Sequence, residues 1–177
     1  MKTRVLAALP LAAALFCAAV LPGCGPFWVD PYITVKESQL NWIKISYYRY
    51  DRKPVRRMIV YLNGAGHVEI RKGTSELVSN DFAKNNADEN WSGIKTQRFN
   101  VDPKHINDIF QNLVNYGVLD AEKHFKGSGK KEEKRFIGVR ANISNLSYAE
   151  PDNIFESDPD LAEQLMDVIR EFDNPAW

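Results

Sequence analysis

The chain has 177 residues, in which 23 basic side chains balance 23 acidic ones, so its formal net charge is zero. This balance gives no argument for nucleic acid as a partner, because nucleic-acid binding depends on a marked excess of basic residues. The length suits one domain with its own hydrophobic core, once the amino-terminal segment described next is set aside.

The amino terminus has the pattern of an export signal. Lys2 and Arg4 precede residues 5–23, which carry no charged side chain. A basic start, an apolar run and small residues before a cleavage point are typical of a secretory signal peptide. One alternative is an uncleaved membrane anchor, because the run is close to the roughly 20 residues that span a bilayer. Another is an ordinary signal peptide that is cleaved without lipidation. All three interpretations place the domain outside the cytoplasm.

The end of this run, Leu21-Pro22-Gly23-Cys24, resembles the lipobox of bacterial lipoproteins. The resemblance implies cleavage after Gly23, a diacylglycerol on the sulfur of Cys24 and a third acyl chain on its amine. Membrane lipid is then the partner of Cys24, and three acyl chains exceed what stable anchoring requires. Gly25 differs from the aspartate that retains many such lipoproteins in the inner membrane, so the resemblance favours the outer membrane.

The cysteine count fits this interpretation. The chain has two cysteines, and Cys17 lies in the segment that would be removed. An unpaired thiol at Cys24 would be a liability in an oxidising compartment, and lipidation removes that thiol. We therefore predict a signal peptide over residues 1–23, a tether over residues 24–32 and a single domain over residues 33–177.

Strand signals dominate the first part of the domain. Residues 41–50, 55–62 and 67–72 are rich in β-branched and aromatic side chains, which suit a pleated surface. Asn-Gly at positions 63 and 64 is a strong hairpin signal between the second and third of these runs. The pattern predicts an N-terminal meander, with further strands over residues 94–101 and 135–144.

Two helices have clear start signals. Asp102-Pro103 and Asp158-Pro159 each place a capping carboxylate before a proline at the first helical position, and Gly117 suits a left-handed stop for the first helix. Apolar side chains fall on one face of each helix. These elements predict an α+β fold in which an antiparallel sheet of about four to six strands carries both amphipathic helices on one face.

The aromatic residues of the first two strands predict a candidate binding face. Alternation places Trp42, Tyr48 and Tyr50 on one face of the first strand and Tyr61 on the matching face of the second. Such rings could stack on sugars or anchor a protein partner. The favoured alternative is that the loop over residues 77–94 covers this face as a second small core.

A basic patch is the second candidate. Arg52, Lys53, Arg56 and Arg57 lie around the first turn, where they could meet anionic lipid headgroups or acidic glycan. The alternative is a solvated strand end with no specific partner.

The sequence lacks recognisable catalytic and metal-binding motifs. His67, His105 and His124 are scattered in the sequence and lack the short spacing of a metal site, and no Gly-x-Ser-x-Gly elbow is present. We therefore expect no metal, no cofactor and no enzymatic activity. The sequence favours a non-catalytic binding or accessory domain that is tethered to the cell envelope and binds an envelope protein or glycan. The alternatives are a hydrolase of wall or surface polymer, with carboxylates that the sequence does not reveal, and a structural spacer.

Overall fold

The computed structural model describes residues 33–49, 51, 53–75, 90–120, 134–150 and 153–173. The predicted signal peptide over residues 1–23, the lipidation site Cys24 and the tether over residues 24–32 lie outside the described residues.

Within the described residues, six strands form one antiparallel sheet in the order β4-β3-β2-β1-β5-β6. The strands are β1 (Trp42–Arg49), β2 (Val55–Asn63), β3 (His67–Ser75), β4 (Ser92–Asn100), β5 (Arg135–Ile143) and β6 (Leu146–Glu150). The first four are sequential neighbours, so the chain runs as a meander from the centre of the sheet to one edge. The sheet and the helices confirm the predicted α+β class, with six strands at the top of the predicted range.

The turn between β2 and β3 depends on two glycines. A Cβ atom at Gly64 would lie 1.9 Å from the carbonyl oxygen of Ser38, which is an impossible distance. Gly66 has a φ of +88°, and a Cβ atom there would lie 2.3 Å from the carbonyl oxygen of Val101. This turn therefore lets the chain segments before β1 and after β4 approach the hairpin closely.

Three helices follow the meander in the described part of the chain. They are α1 (Pro103–Asn115), α2 (Ile154–Ser157) and α3 (Pro159–Phe172). Asp102 accepts a hydrogen bond from the Lys104 backbone N–H at 2.9 Å, and Asp158 accepts one from the Leu161 N–H at 3.1 Å. Both predicted caps are therefore confirmed. None of these described helices is long and apolar enough to cross a membrane.

The end of α1 has the predicted left-handed glycine. Gly117 has a φ of +88° and its N–H donates to the Val114 carbonyl at 2.9 Å. The N–H of Val118 donates to the Leu113 carbonyl at 3.0 Å. These two bonds form a Schellman motif, which satisfies carbonyls that the last turn of the helix leaves without intrahelical donors.

One hydrophobic core joins alternate residues of the central strands to apolar residues of the helices. On β1 the core members are Ile43, Ile45 and Tyr47, so the residues between them lie on the opposite face of the sheet. The strands and helices supply the remaining members, among them Met58, Val60, Leu62, Ile70, Ile137, Val139, Ile106, Phe110, Leu113, Leu161, Leu165 and Ile169. We call the face opposite this core the outer face.

Candidate ligand-binding surface

The outer face carries the aromatic residues that the sequence singled out. Trp42, Lys44, Ser46 and Tyr48 alternate with the core residues of β1. The β1–β2 register pairs Lys44 with Tyr61 and Tyr48 with Arg57, so both β2 residues share the outer face. The predicted common face of Trp42, Tyr48 and Tyr61 is therefore present, whereas Tyr50 lies outside the described residues.

One end of the outer face is buried. Tyr48 is 3% exposed and stacks on Phe136, with 5.2 Å between the ring centroids. The guanidinium carbon of Arg57 lies 5.2 Å from the Tyr48 ring centroid and 5.7 Å from that of Trp91. A Cβ atom at Gly73 would lie 3.0 Å from the Trp91 ring. The lack of a side chain at Gly73 therefore leaves room for the Trp91 ring to pack against the sheet. This end is a small second core rather than an accessible surface.

Burial changes the ionisation of two groups in this second core. It raises the pKa of Tyr48 to about 12, although the neighbouring Arg57 charge acts in the opposite direction. It also lowers the pKa of Arg57, against the effect of Tyr48. A low-dielectric environment disfavours both the phenolate and the guanidinium cation, which accounts for the two directions.

The other end of the outer face is partly open. Trp42 and Tyr61 are half-buried there, with their ring centroids 6.3 Å apart and their planes tilted by 31°. Beside them lies a hollow of about 390 Å³. Its lining residues are Trp42, Lys44, Ile59, Tyr61, Glu69, Arg71 and Arg140. We call this site the aromatic hollow.

The aromatic hollow combines ring surface with positive charge. Three of its lining side chains are cationic and one, Glu69, is a carboxylate. Glu69 accepts a hydrogen bond from Arg98 at 2.7 Å, and Arg71 lies 5.7 Å from the Trp91 ring centroid. Ring faces stack on apolar faces of a ligand, while cations bind carboxylate or phosphate groups, so the arrangement suits recognition of an anionic ring compound.

The basic residues at the first turn do not share one surface. Lys53 is exposed, whereas Arg57 is 1% exposed within the second core. Arg56 is half-buried and pairs across the sheet with Arg49 and Thr74, on the opposite face from Arg57. Arg52 lies outside the described residues.

Glu69, Arg71 and Arg140 line the aromatic hollow although the sequence did not assign them to a site. Glu69 and Arg71 alternate with the core residues Val68 and Ile70 of β3, which is a signal that the sequence contains. Arg140 pairs with Lys44 across the β1–β5 ladder, and no local pattern reveals that two strands about 100 residues apart are neighbours.

Among the residues that the structure describes, no group of three or more His, Cys, Asp and Glu side chains could hold a metal ion. His105 contacts Glu171, and the His67 ring lies 2.5 Å from the Asn100 side-chain oxygen. These two histidines are thus engaged in separate local contacts.

No protein-family model matches this chain, and no curated protein matches it.

Proposed function

We propose that this protein is a lipoprotein of the bacterial cell envelope whose domain binds a glycan without chemically altering it. The observation that carries the binding proposal is the aromatic hollow, where two tilted aromatic rings are half-exposed beside cationic side chains. Trp and Tyr present large, rigid surfaces with few torsions to immobilise, which favours stacking on sugar rings.

The proposed location rests on the amino-terminal sequence. A basic start, an uncharged run and the lipobox-like Leu21-Pro22-Gly23-Cys24 support export and lipidation of Cys24. We place the domain in the periplasm or at the cell surface, anchored preferentially in the outer membrane.

We also propose that α1 and α3 together cover the core face of the sheet, which leaves the outer face for ligands. Apolar residues of both helices belong to one core cluster with β1, β2, β3 and β5. The Asn112 amide donates to the Gln164 side chain at 3.2 Å, so the two helices also contact each other. The Phe172 ring of α3 lies 6.2 Å from the Phe99 ring of β4.

Titration of the purified protein with soluble fragments of bacterial cell-wall glycan tests the binding proposal. We expect Trp42→Ala to weaken binding roughly tenfold, because a stacked aromatic ring contributes about 1 kcal/mol or more. Tyr116→Ala is the matched control, since Tyr116 is an exposed aromatic residue at the end of α1 that does not line the aromatic hollow. Calorimetry measures both affinities. Absence of binding by the wild type, or equal affinity of wild type and Trp42→Ala, would contradict the proposal.

A further inference from the structure

The edge strand β4 is exposed along its whole length. All nine residues of Ser92–Asn100 are exposed, on both faces of the sheet. β4 lies at the end of the strand order and pairs with β3 alone among the described strands. The backbone N–H and C=O groups that point away from β3 are therefore a template for a further strand.

Two apolar side chains on β4 are only partly covered. Ile94 and Phe99 are each 38% exposed, on opposite faces of the strand. A Cβ atom at Gly93 would meet nothing within 4 Å, so the surface beside the strand is open at this point. An added strand would bury both apolar side chains.

The charge of the strand indicates what kind of segment fits. β4 contains Lys95 and Arg98 and no carboxylate. Lys95 lies directly opposite Lys72 of β3, and like charges in that position are destabilising. Lys72 contacts the Asp173 carboxylate, and Glu69 is paired with Arg98. Among the described residues, Lys95 forms no ion pair with a carboxylate.

A hollow beside this pair supports the same inference. It measures about 450 Å³ and includes Ile70, Lys72, Gly93, Lys95 and Gln97 in its lining. A carboxylate placed opposite Lys95 would offset the repulsion between Lys72 and Lys95, while apolar groups could contact the Ile70 side of the hollow.

We propose that β4 accepts an extended acidic segment of a partner protein as a seventh, antiparallel strand. Carboxylates would lie opposite Lys95 and Arg98, and apolar residues opposite Ile94 and Phe99. The partner segment would therefore have six consecutive positions with a defined pattern. The first and sixth residues are apolar, the second and fifth are acidic, and the third and fourth are unrestricted. A second copy of the chain fits poorly, because it would bring two further cations to the same seam.

Selection from a random nine-residue peptide library tests the proposal on the full-length protein in detergent. We expect the wild type to enrich peptides with two acidic residues three positions apart between apolar flanks. The double variant Lys95→Glu/Arg98→Glu should weaken binding of a selected peptide roughly tenfold and enrich basic peptides instead. The control variant Lys36→Glu/Lys104→Glu lowers the net charge by the same amount at two exposed lysines outside β4, and it should bind like the wild type.

Hydrogen exchange separates strand addition from loose electrostatic attraction. A bound peptide should slow exchange of the β4 backbone amides that point away from β3, since these donors become hydrogen-bonded. Three results would overturn the proposal: no enrichment of acidic peptides, binding that survives the charge reversal, or unchanged exchange in β4. If the protein instead self-associates with rising concentration, and Lys95→Glu/Arg98→Glu changes that association, then the β4 edge binds a second copy of the chain. Glycan binding at the aromatic hollow is measured independently and can fail or succeed without affecting these outcomes.

Discussion

The environment of Tyr48 changes its ionisation. Its phenol is buried against Phe136 and Arg57 in the second core, and its pKa is raised to about 12 from a usual value of 10.0. The unfolded chain therefore releases the Tyr48 proton at lower pH than the folded chain does. Above pH 10 the unfolded state binds fewer protons, so the free energy of unfolding falls as pH rises towards 12.

Between pH 10 and 12, ionisation of Tyr48 should lower the free energy of unfolding by on the order of 1 kcal/mol per pH unit. Tyr48→Phe should remove this contribution. Urea denaturation of both proteins from pH 8 to pH 12 measures the difference in slope. Below pH 10 the difference in stability between the two proteins should be constant, and above pH 10 the wild type should lose stability relative to Tyr48→Phe. Parallel curves over the entire range would contradict the assigned burial effect.

Alternation along β1 predicts which side chains share a face, but it does not predict how deeply each is buried. Trp42 and Tyr48 share the outer face, yet the first lines the aromatic hollow and the second is covered. The difference comes from covering residues such as Phe136, which stacks on Tyr48 and lies far from β1 in sequence. A period of two residues contains no information about these long-range neighbours.

At the scale of elements, side-chain caps fix where the helices begin. Asp158 closes α2 and opens α3, because its N–H donates to the Ile154 carbonyl at 2.8 Å while its carboxylate accepts from Leu161. A single residue thus sets the sharp turn between two helices. Its carboxylate also lies at the positive end of the α3 dipole.

Asp158→Ala should lower the free energy of unfolding by about 1 kcal/mol, as expected for loss of an N-cap. Asp160→Ala is the matched control, because Asp160 is an exposed acidic residue in the first turn of the same helix and does not supply the cap. We expect the control to change stability by less than about 0.5 kcal/mol. Urea midpoints of the three proteins provide the comparison, and equal losses in the two variants would rule out the cap assignment.

Elements with strong local signals were predictable, and elements without them were not. The Asp-Pro starts and Gly117 identified α1 and the start of α3, and Asn-Gly identified the β2–β3 turn. Strand β6 was missed because its hairpin turn uses Ser144 and Asn145, with φ values of 53° and 66°, instead of the usual glycine. Helix α2 has only four residues, too few to show helical periodicity.

For the whole molecule, the sheet separates three surfaces with different properties. One face belongs to the hydrophobic core, the outer face contains the second core and the aromatic hollow, and β4 forms an exposed edge. In the proposed arrangement, lipids at Cys24 hold this domain near the membrane, so its two candidate binding surfaces would bind components of the cell envelope.

The most direct test of this account is intact-mass spectrometry of the protein expressed in a bacterial host, with Cys24→Ala alongside the wild type. We predict that the wild-type chain begins at Cys24 and carries a mass increment equal to a diacylglycerol and a third acyl chain, and that the variant lacks this increment. A wild-type chain that still begins at Met1, or one that is cleaved elsewhere and unmodified, would contradict the proposed membrane anchor.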